Sequence, residues 1–319
     1  MPYVLAKNQT ISGKYLCSQS ESSVCCGFNK AEDRRVYTTS DSNRASTIMT
    51  VCDLLIAGGG VLGMLVARQW VTAYPGTRVT IKYRSNNKER MDNLAKEGFT
   101  VISQEGGEPC SAPLIVFCAP PTGNPDYAED IKNCLDHHWN KVQGAAFIFT
   151  SAGSVYSENN GGEVDENSET VRTERSGKLL DGEEHVTGGG GCVVRLGGLY
   201  TVSGGAHNYW LKGGKFSAKP RGLINLVHYD DAARAVVKAL ENPDKVAGEV
   251  FLVSDGAPIS RQEIVDAATK NDMYAGKADG VEFTGGEEVD GKKYNSQKIR
   301  KLLGWEPSFA TFGDFMKSN

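Results

Sequence analysis

No apolar run in these 319 residues reaches the roughly 18 positions a membrane-crossing helix needs, so the sequence offers no membrane span. Charge of one sign is missing too. The 35 Lys and Arg against 39 Asp and Glu leave a net charge of −4, which argues against nucleic acid or another polyanion as partner. The eight cysteines contain no Cys-x-x-Cys pair. Cys52 and Cys118 fall in expected strands and Cys134 in an expected helix, so reduced, buried small hydrophobes are expected rather than a disulfide frame or a zinc site. His137-His138 has no partner at metal-ligand spacing and is expected on a helix surface. An internal repeat of useful length is also absent, which removes repeat architectures.

Residues 1–48 lack periodicity, are rich in Ser, Thr and Cys, and stop at Met49, just before the first strand. They read as a leader or disordered extension, with Met49 as an alternative start. Arg35-Val36-Tyr37-Thr38 is similar to a mitochondrial cleavage site and the Ser/Thr content suits a plastid leader, while Glu21, Glu32 and Asp33 count against both. The expected location is the cytoplasm, or an organelle stroma or matrix if the segment is a leader. The Asn8-Gln9-Thr10 sequon carries little weight, because no apolar signal region precedes it.

What the chain does have is a glycine turn in an informative place. The apolar run Leu54-Leu55-Ile56-Ala57 passes into Gly58-Gly59-Gly60-Val61-Leu62-Gly63 and directly on into a helical pattern. In a dinucleotide fingerprint, Gly58 allows the tight turn, Gly60 lets backbone N–H groups approach a pyrophosphate, and Gly63 lets the helix pack closely on the strand. Val61 and Leu62 then open a helix whose positive end points at that phosphate.

Pro75-Gly76 breaks the chain after this helix, and Arg78 to Tyr83 reads as a second strand, followed by a helix rich in Lys and Glu from about Asn87 to Glu97. Thr100 to Ile102, Leu114 to Ala119 and Ala145 to Thr150 form the third, fourth and fifth strands, with a helix from about Tyr127 to Trp139 before the last. Gly188 to Gly191 is a loop ahead of the strand Cys192 to Leu196. Short, continuously apolar strands separated by helices belong to a parallel sheet covered on both faces. The expected fold is therefore doubly wound α/β, a parallel-sheet Rossmann fold. Its NAD(P)-binding core is expected over 49–198, with a smaller carboxy-terminal substrate lobe over 199–319 from which segments 223–255 return to the core.

An Asp or Glu about 20 residues beyond the glycines usually holds the adenosine 2′-hydroxyl of NAD. Here the strand end reads Lys82-Tyr83-Arg84-Ser85-Asn86-Asn87-Lys88, with no acid. A guanidinium at Arg84 can grip a phosphate bidentately and Ser85 can add a hydrogen bond, which favours NADP(H) over NAD(H). A further cofactor contact is expected at Ala119 and Pro120, where the chain leaves the fourth strand, because ligands bind outside the carboxyl ends of parallel strands.

Four later segments carry a family pattern: Thr150-Ser151-Ala152-Gly153-Ser154-Val155-Tyr156, Arg195-Leu196-Gly197-Gly198-Leu199-Tyr200, Asn225-Leu226-Val227-His228-Tyr229-Asp230-Asp231, and Tyr294-Asn295-Ser296-Gln297-Lys298 running on to Leu303-Gly304-Trp305-Glu306-Pro307. In order and spacing they resemble the short-chain dehydrogenase/reductase superfamily, specifically its extended and atypical epimerase/dehydratase-like members, across about Val51 to Phe315. The spacing of the opening glycines is similar to an atypical subgroup. The resemblance implies a Tyr and a Lys four residues apart on the helix after the fifth strand. The lysine lowers the tyrosine's pKa so that it can shuttle a proton, and a serine holds the substrate oxygen.

This chain departs from that pattern. No tyrosine occurs between Tyr156 and Tyr200. If Lys178 fills the lysine position, Glu174 stands where the tyrosine belongs. Glu174 as a retuned base, Tyr156 reaching in from the strand end, and no proton shuttle at all are the three alternatives, with Tyr156 the preferred catalytic candidate. Ser151 or Ser154 would hold a substrate oxygen, or satisfy local backbone.

On the substrate side, Tyr200, Tyr209, Trp210 and Phe216 are expected to line one wall. Lys212, Lys215, Lys219 and Arg221 would make it basic and suited to an anionic or phosphorylated substrate. His228 is a candidate substrate contact, Asp230 or Asp231 an N-cap for the helix Ala232 to Leu240, and Ser260 with Glu263 a capping box. Two functions follow. One is an NADP(H)-binding oxidoreductase or epimerase/dehydratase-like protein acting on a small carbonyl or sugar-like metabolite. The other is a catalytically inactive nucleotide-binding scaffold or accessory subunit of an organellar complex. A homodimer or assembly into a complex is compatible with either.

Overall fold

Strands with no polar alternation must be buried on both faces, and those of the central sheet are, except for the edge strand Thr100–Ser103. The computed structural model describes residues 50–51, 53–84, 87–103 and 110–318. The 1–48 extension, Met49, Cys52 and Ser85 lie outside the described residues. The central strands are β1 (Leu54–Ala57), β2 (Val79–Tyr83), β3 (Thr100–Ser103), β4 (Leu114–Phe117), β5 (Ala146–Ala152), β7 (Cys192–Leu196) and β11 (Val250–Val253). They lie in the order β11-β7-β5-β4-β1-β2-β3, all parallel.

Successive residues of each strand face opposite layers. Leu54, Ile56, Val116, Ile148 and Val194 pack on one side, against helices α1 (Val61–Ala73) and α5 (Tyr229–Leu240). Leu55, Ile115, Phe117, Phe149 and Val193 pack on the other, against α3 (Tyr127–His138) and α4 (Glu174–Gly188). The result is the doubly wound α/β Rossmann-like architecture.

A second, four-stranded sheet builds the smaller lobe, in the order β12-β9-β13-β6. Its members are β6 (Asn160–Val164), β9 (Leu223–Ile224), β12 (Ile259–Ser260) and β13 (Gly291–Tyr294). Strand β6 comes from inside the first 198 residues yet pairs in parallel with β13, so the lobe borrows a segment from the core. Two short parallel strands, β8 (Gly198–Tyr200) and β10 (Leu226–His228), join lobe to core.

The Ser260–Glu263 capping box forms at the helix Arg261–Ala268. The cap of α5 differs from expectation: it is His228, whose Nδ1 accepts the backbone N–H of Asp230 at 3.2 Å. Asp231 is instead buried, accepting from Arg234 and from the backbone N–H groups of Ser308 and Phe309. Its carbonyl accepts the Trp305 indole N–H at 3.0 Å, which docks the Leu-Gly-Trp-Glu-Pro ending on α5.

Candidate active site

The glycine turn is built as the spacing requires. Gly58 has φ +118°, a region that favours glycine. A Cβ on Gly63 would lie 2.2 Å from the Gly58 carbonyl oxygen, so α1 can sit this close to β1 only with glycine there. The first turn of α1 has no side-chain cap and no acid. The backbone N–H groups of Val61 and Leu62 therefore have no partner within the helix and are left for a ligand.

Among the cavities beside this turn, two lie at the carboxyl ends of the strands. The first, of about 600 Å³, lies over Gly58, Gly59 and Gly60 at the carboxyl ends of β1, β2 and β4. Strand β2 ends in Tyr83, whose hydroxyl donates to the Gly59 carbonyl at 2.6 Å. Arg90, from the helix α2 (Lys88–Lys96), donates to the same oxygen at 2.6 Å and lies 4.9 Å from the centre of the Tyr83 ring. Arg84 lines the cavity and donates to the carbonyls of Thr122 at 3.1 Å and Pro120 at 3.3 Å. Arg90 was not legible beforehand, because a helix so rich in Lys and Glu reads as a solvated surface.

The helix-surface expectation holds for His137, which is exposed, but not for His138. Both line this cavity. His138 is partly buried, with Nδ1 at 2.6 Å from the Cys110 carbonyl and Nε2 at 3.0 Å from the Lys82 Nζ. Burial pushes its pKa down, which favours the neutral ring. Among the described residues, no group of His, Cys, Asp and Glu is arranged to hold a metal ion.

The second cavity, of about 680 Å³, lies between the sheet and the lobe and shares Gly60, Ala119 and Pro120 with the first. Val61, Leu62, Gly63, Ser151 and Ser154 line it as well. Ser151 is buried, and its hydroxyl donates to Glu183 Oε1 at 2.5 Å. Glu183 is also gripped by Arg195, through Nη2 at 2.6 Å and Nε at 3.1 Å, making a buried ion pair that anchors the serine.

Tyr156, the preferred catalytic candidate, is not in this cleft. It is 1 % exposed, its ring lies against Arg195 and Tyr294, and its hydroxyl has no partner. Burial pushes its pKa up to about 12, the opposite of what a proton shuttle needs. The stretch after Gly153 turns inward, so Tyr156 serves as core. Helix α4 is also phased differently from expectation. Arg175 and Leu179, four residues apart, face the cleft, whereas the Lys178 ammonium donates to the Asn124 carbonyl at 3.3 Å and Glu174 does not line the cavity.

Tyr200 and His228 are likewise core. Tyr200 is 0 % exposed and packs edge-on to His228, Phe312 and Phe315. Neither lines the cleft. The expected basic wall is partly neutralised, since Lys215 pairs with Glu282 at 2.9 Å and Lys219 with Glu288 at 3.4 Å. Trp210 is buried within the lobe and Tyr209 is exposed. The cleft wall is built instead by β13, which contributes Lys292 and Tyr294.

No family model matches the chain, and no curated protein matches it. Solved structures do. A functionally unknown conserved protein from Silicibacter pomeroyi superposes with a TM-score of 0.63 at 20% identity, covering 84% of this chain and 97% of that one. The UDP-glucuronic acid 4-epimerase of Bacillus cereus in complex with NAD gives a TM-score of 0.62 at 16% identity, over 84% and 94%. The dTDP-glucose 4,6-dehydratase of Bacillus anthracis in complex with NAD gives 0.64 at 14%, over 83% and 94%. At these identities the likeness is one of fold. No helix among the described residues is long and apolar enough to cross a membrane.

Proposed function

We propose that this chain is an NADP(H)-binding oxidoreductase or epimerase/dehydratase-like protein of the extended short-chain dehydrogenase/reductase type. It acts on a small carbonyl or sugar-like metabolite without the usual Tyr-x-x-x-Lys pair. The observation that carries this reading is the glycine turn opening onto two cavities at the carboxyl ends of parallel strands. A dinucleotide would lay its adenosine in the first and its nicotinamide in the second. The fold shared with NAD-bound sugar-nucleotide enzymes supports the same reading.

The residues present fit that group. The N–H groups of Val61 and Leu62 would hold the pyrophosphate, with Gly60 open to it and Ala119 and Pro120 bordering both halves. NADP(H) is favoured over NAD(H) because a 2′-phosphate would meet Arg84 and Arg90, with Tyr83 rather than an acid closing β2. When bound, the nicotinamide supplies hydride chemistry. The chain's own part is orientation. Ser151, whose proton is committed to Glu183, would accept a hydrogen bond from a substrate hydroxyl, and Ser154 offers a second oxygen beside it.

One observation favours the second reading, an inactive nucleotide-binding scaffold or accessory subunit. Helix α4 presents Arg175 and Leu179 to the cleft, and neither is a proton shuttle at neutral pH. Incubation with NADP⁺ and UDP-glucose, UDP-glucuronic acid or dTDP-glucose, with products resolved by mass spectrometry, separates the two. Conversion supports the enzyme. NADPH binding with no product, and copurification at fixed stoichiometry with a larger assembly, supports the scaffold.

A further inference from the structure

The second cavity is lined by two cations. Arg175, in the first turn of α4, and Lys292, on β13, line it, and no Asp or Glu among the described residues does. Arg175 is exposed and makes no hydrogen bond or ion pair among the described residues. Lys292 is partly buried, and its ammonium donates to the Tyr156 carbonyl at 2.6 Å. An ammonium carries three donors, so two remain for the cleft. The nearby carboxylate of Glu158 is engaged by the backbone N–H groups of Asn160 at 2.5 Å and Gly162 at 3.1 Å. Burial pushes the Lys292 pKa below the ordinary lysine value, with the Glu158 carboxylate opposing the shift.

Lys292 is also held in place. The buried Asn225 donates to its backbone carbonyl at 2.8 Å and accepts the Tyr294 backbone N–H at 2.8 Å, clamping the strand just beyond the lysine. A surface lysine swings free in water, whereas this one is pinned where a ligand would complete its hydrogen bonds. Arg175 reaches the same space from the opposite element, with a planar fork suited to carboxylate or phosphate.

We propose that Lys292 and Arg175 form an oxyanion-binding site inside the cleft, which holds a carboxylate or phosphate of the substrate beside Ser151 and Ser154. This rests on the cleft being the substrate site, as in the proposed function, and not on turnover or on which cofactor binds. It moves the anion site away from the 212–221 segment, where Lys215 and Lys219 already have acidic partners.

Calorimetric titration of the full chain, with and without NADP⁺, tests it with four probes: glucose, glucuronic acid, UDP-glucose and UDP-glucuronic acid. The proteins are the wild type, Lys292→Met, Arg175→Met and a control, Lys293→Met, on the exposed face of the same strand. The expected result is binding of at least one anionic probe but not glucose, weakened about tenfold or more in Lys292→Met and in Arg175→Met and unchanged in Lys293→Met. Binding of glucuronic acid identifies a carboxylate, and binding of UDP-glucose without glucuronic acid identifies the phosphates. If Lys292→Met does not fold, Lys292→Gln retains a donor for the Tyr156 carbonyl, and Arg175→Met is a surface change. Failure of every anionic probe, or affinities unmoved by both variants, overturns the site. This pattern without NADP⁺ binding supports the anion site and overturns the cofactor reading.

Discussion

The two cavities that flank the glycine turn share a wall at Gly60, Ala119 and Pro120 but differ in what their chemistry retains. At the turn between them, the features a dinucleotide requires are backbone features: a positive-φ glycine, a helix start with free N–H groups, and a close helix–strand contact. On the second side the wall is made by side chains, with Tyr156 in the core and Arg175 and Leu179 facing the cleft. Backbone geometry tolerates few residue types, whereas a catalytic side chain is lost by one substitution.

The strongest way to break the turn is Gly63→Ala. Its Cβ would meet the Gly58 carbonyl oxygen at 2.2 Å, so α1 must move and NADPH binding is expected to fall more than about 100-fold, read by fluorescence titration. Equal affinity in the variant would mean that the turn does not carry the cofactor.

On the second side the buried pair sets the scale. Glu183→Ala leaves Arg195 unpaired in the core and releases Ser151, so a loss of about 3–5 kcal/mol is expected in urea unfolding. A loss below about 1 kcal/mol would show the pair to be solvated.

The lobe behind the cleft carries a pH signature. Asp255 is buried with Oδ2 unpartnered, and burial pushes its pKa from 3.8 up to about 7. The folded state thus keeps a proton that the unfolded chain releases. Stability is full below the unfolded value and falls as the pH rises from about 4 to 7, by about 4 kcal/mol from this group. Asp255→Asn should flatten that slope in urea midpoints measured across the range, and an unchanged slope would assign it elsewhere.

The smallest effect is expected at Tyr156→Phe. The hydroxyl has no partner, so removing it should change stability by less than about 1 kcal/mol and leave any turnover intact. A large loss of rate with folding preserved would return Tyr156 to the mechanism.

Much of the first cavity was legible in the chain, because an apolar strand, three glycines at fixed spacing and a helix form a local pattern. The parallel sheet was legible for the same reason, each strand being a short apolar run bounded by breakers. The phase of α4 was not. Glu174 with Lys178 and Arg175 with Leu179 differ by one residue, about 100° around a helix, and the polar stretch around Ser176 and Gly177 gives little periodicity to choose between them. The role of β13 was hidden for another reason. Gly291-Lys292-Lys293-Tyr294 reads as a charged turn, and its place at the cleft comes from pairing with β6 and β9, more than 60 residues away. His228 took the capping role expected of Asp230 or Asp231, because the docking carboxy-terminal segment claims the Asp231 side chain.

The most direct test of the central claim is a fluorescence titration of NADPH and NADH against the full chain, its Arg84→Ala variant and its Arg90→Ala variant. Saturable NADPH binding at least about tenfold tighter than NADH, with the preference lost in one or both variants, is the predicted result. Binding of neither nucleotide, or equal affinity for both in all three proteins, would contradict it.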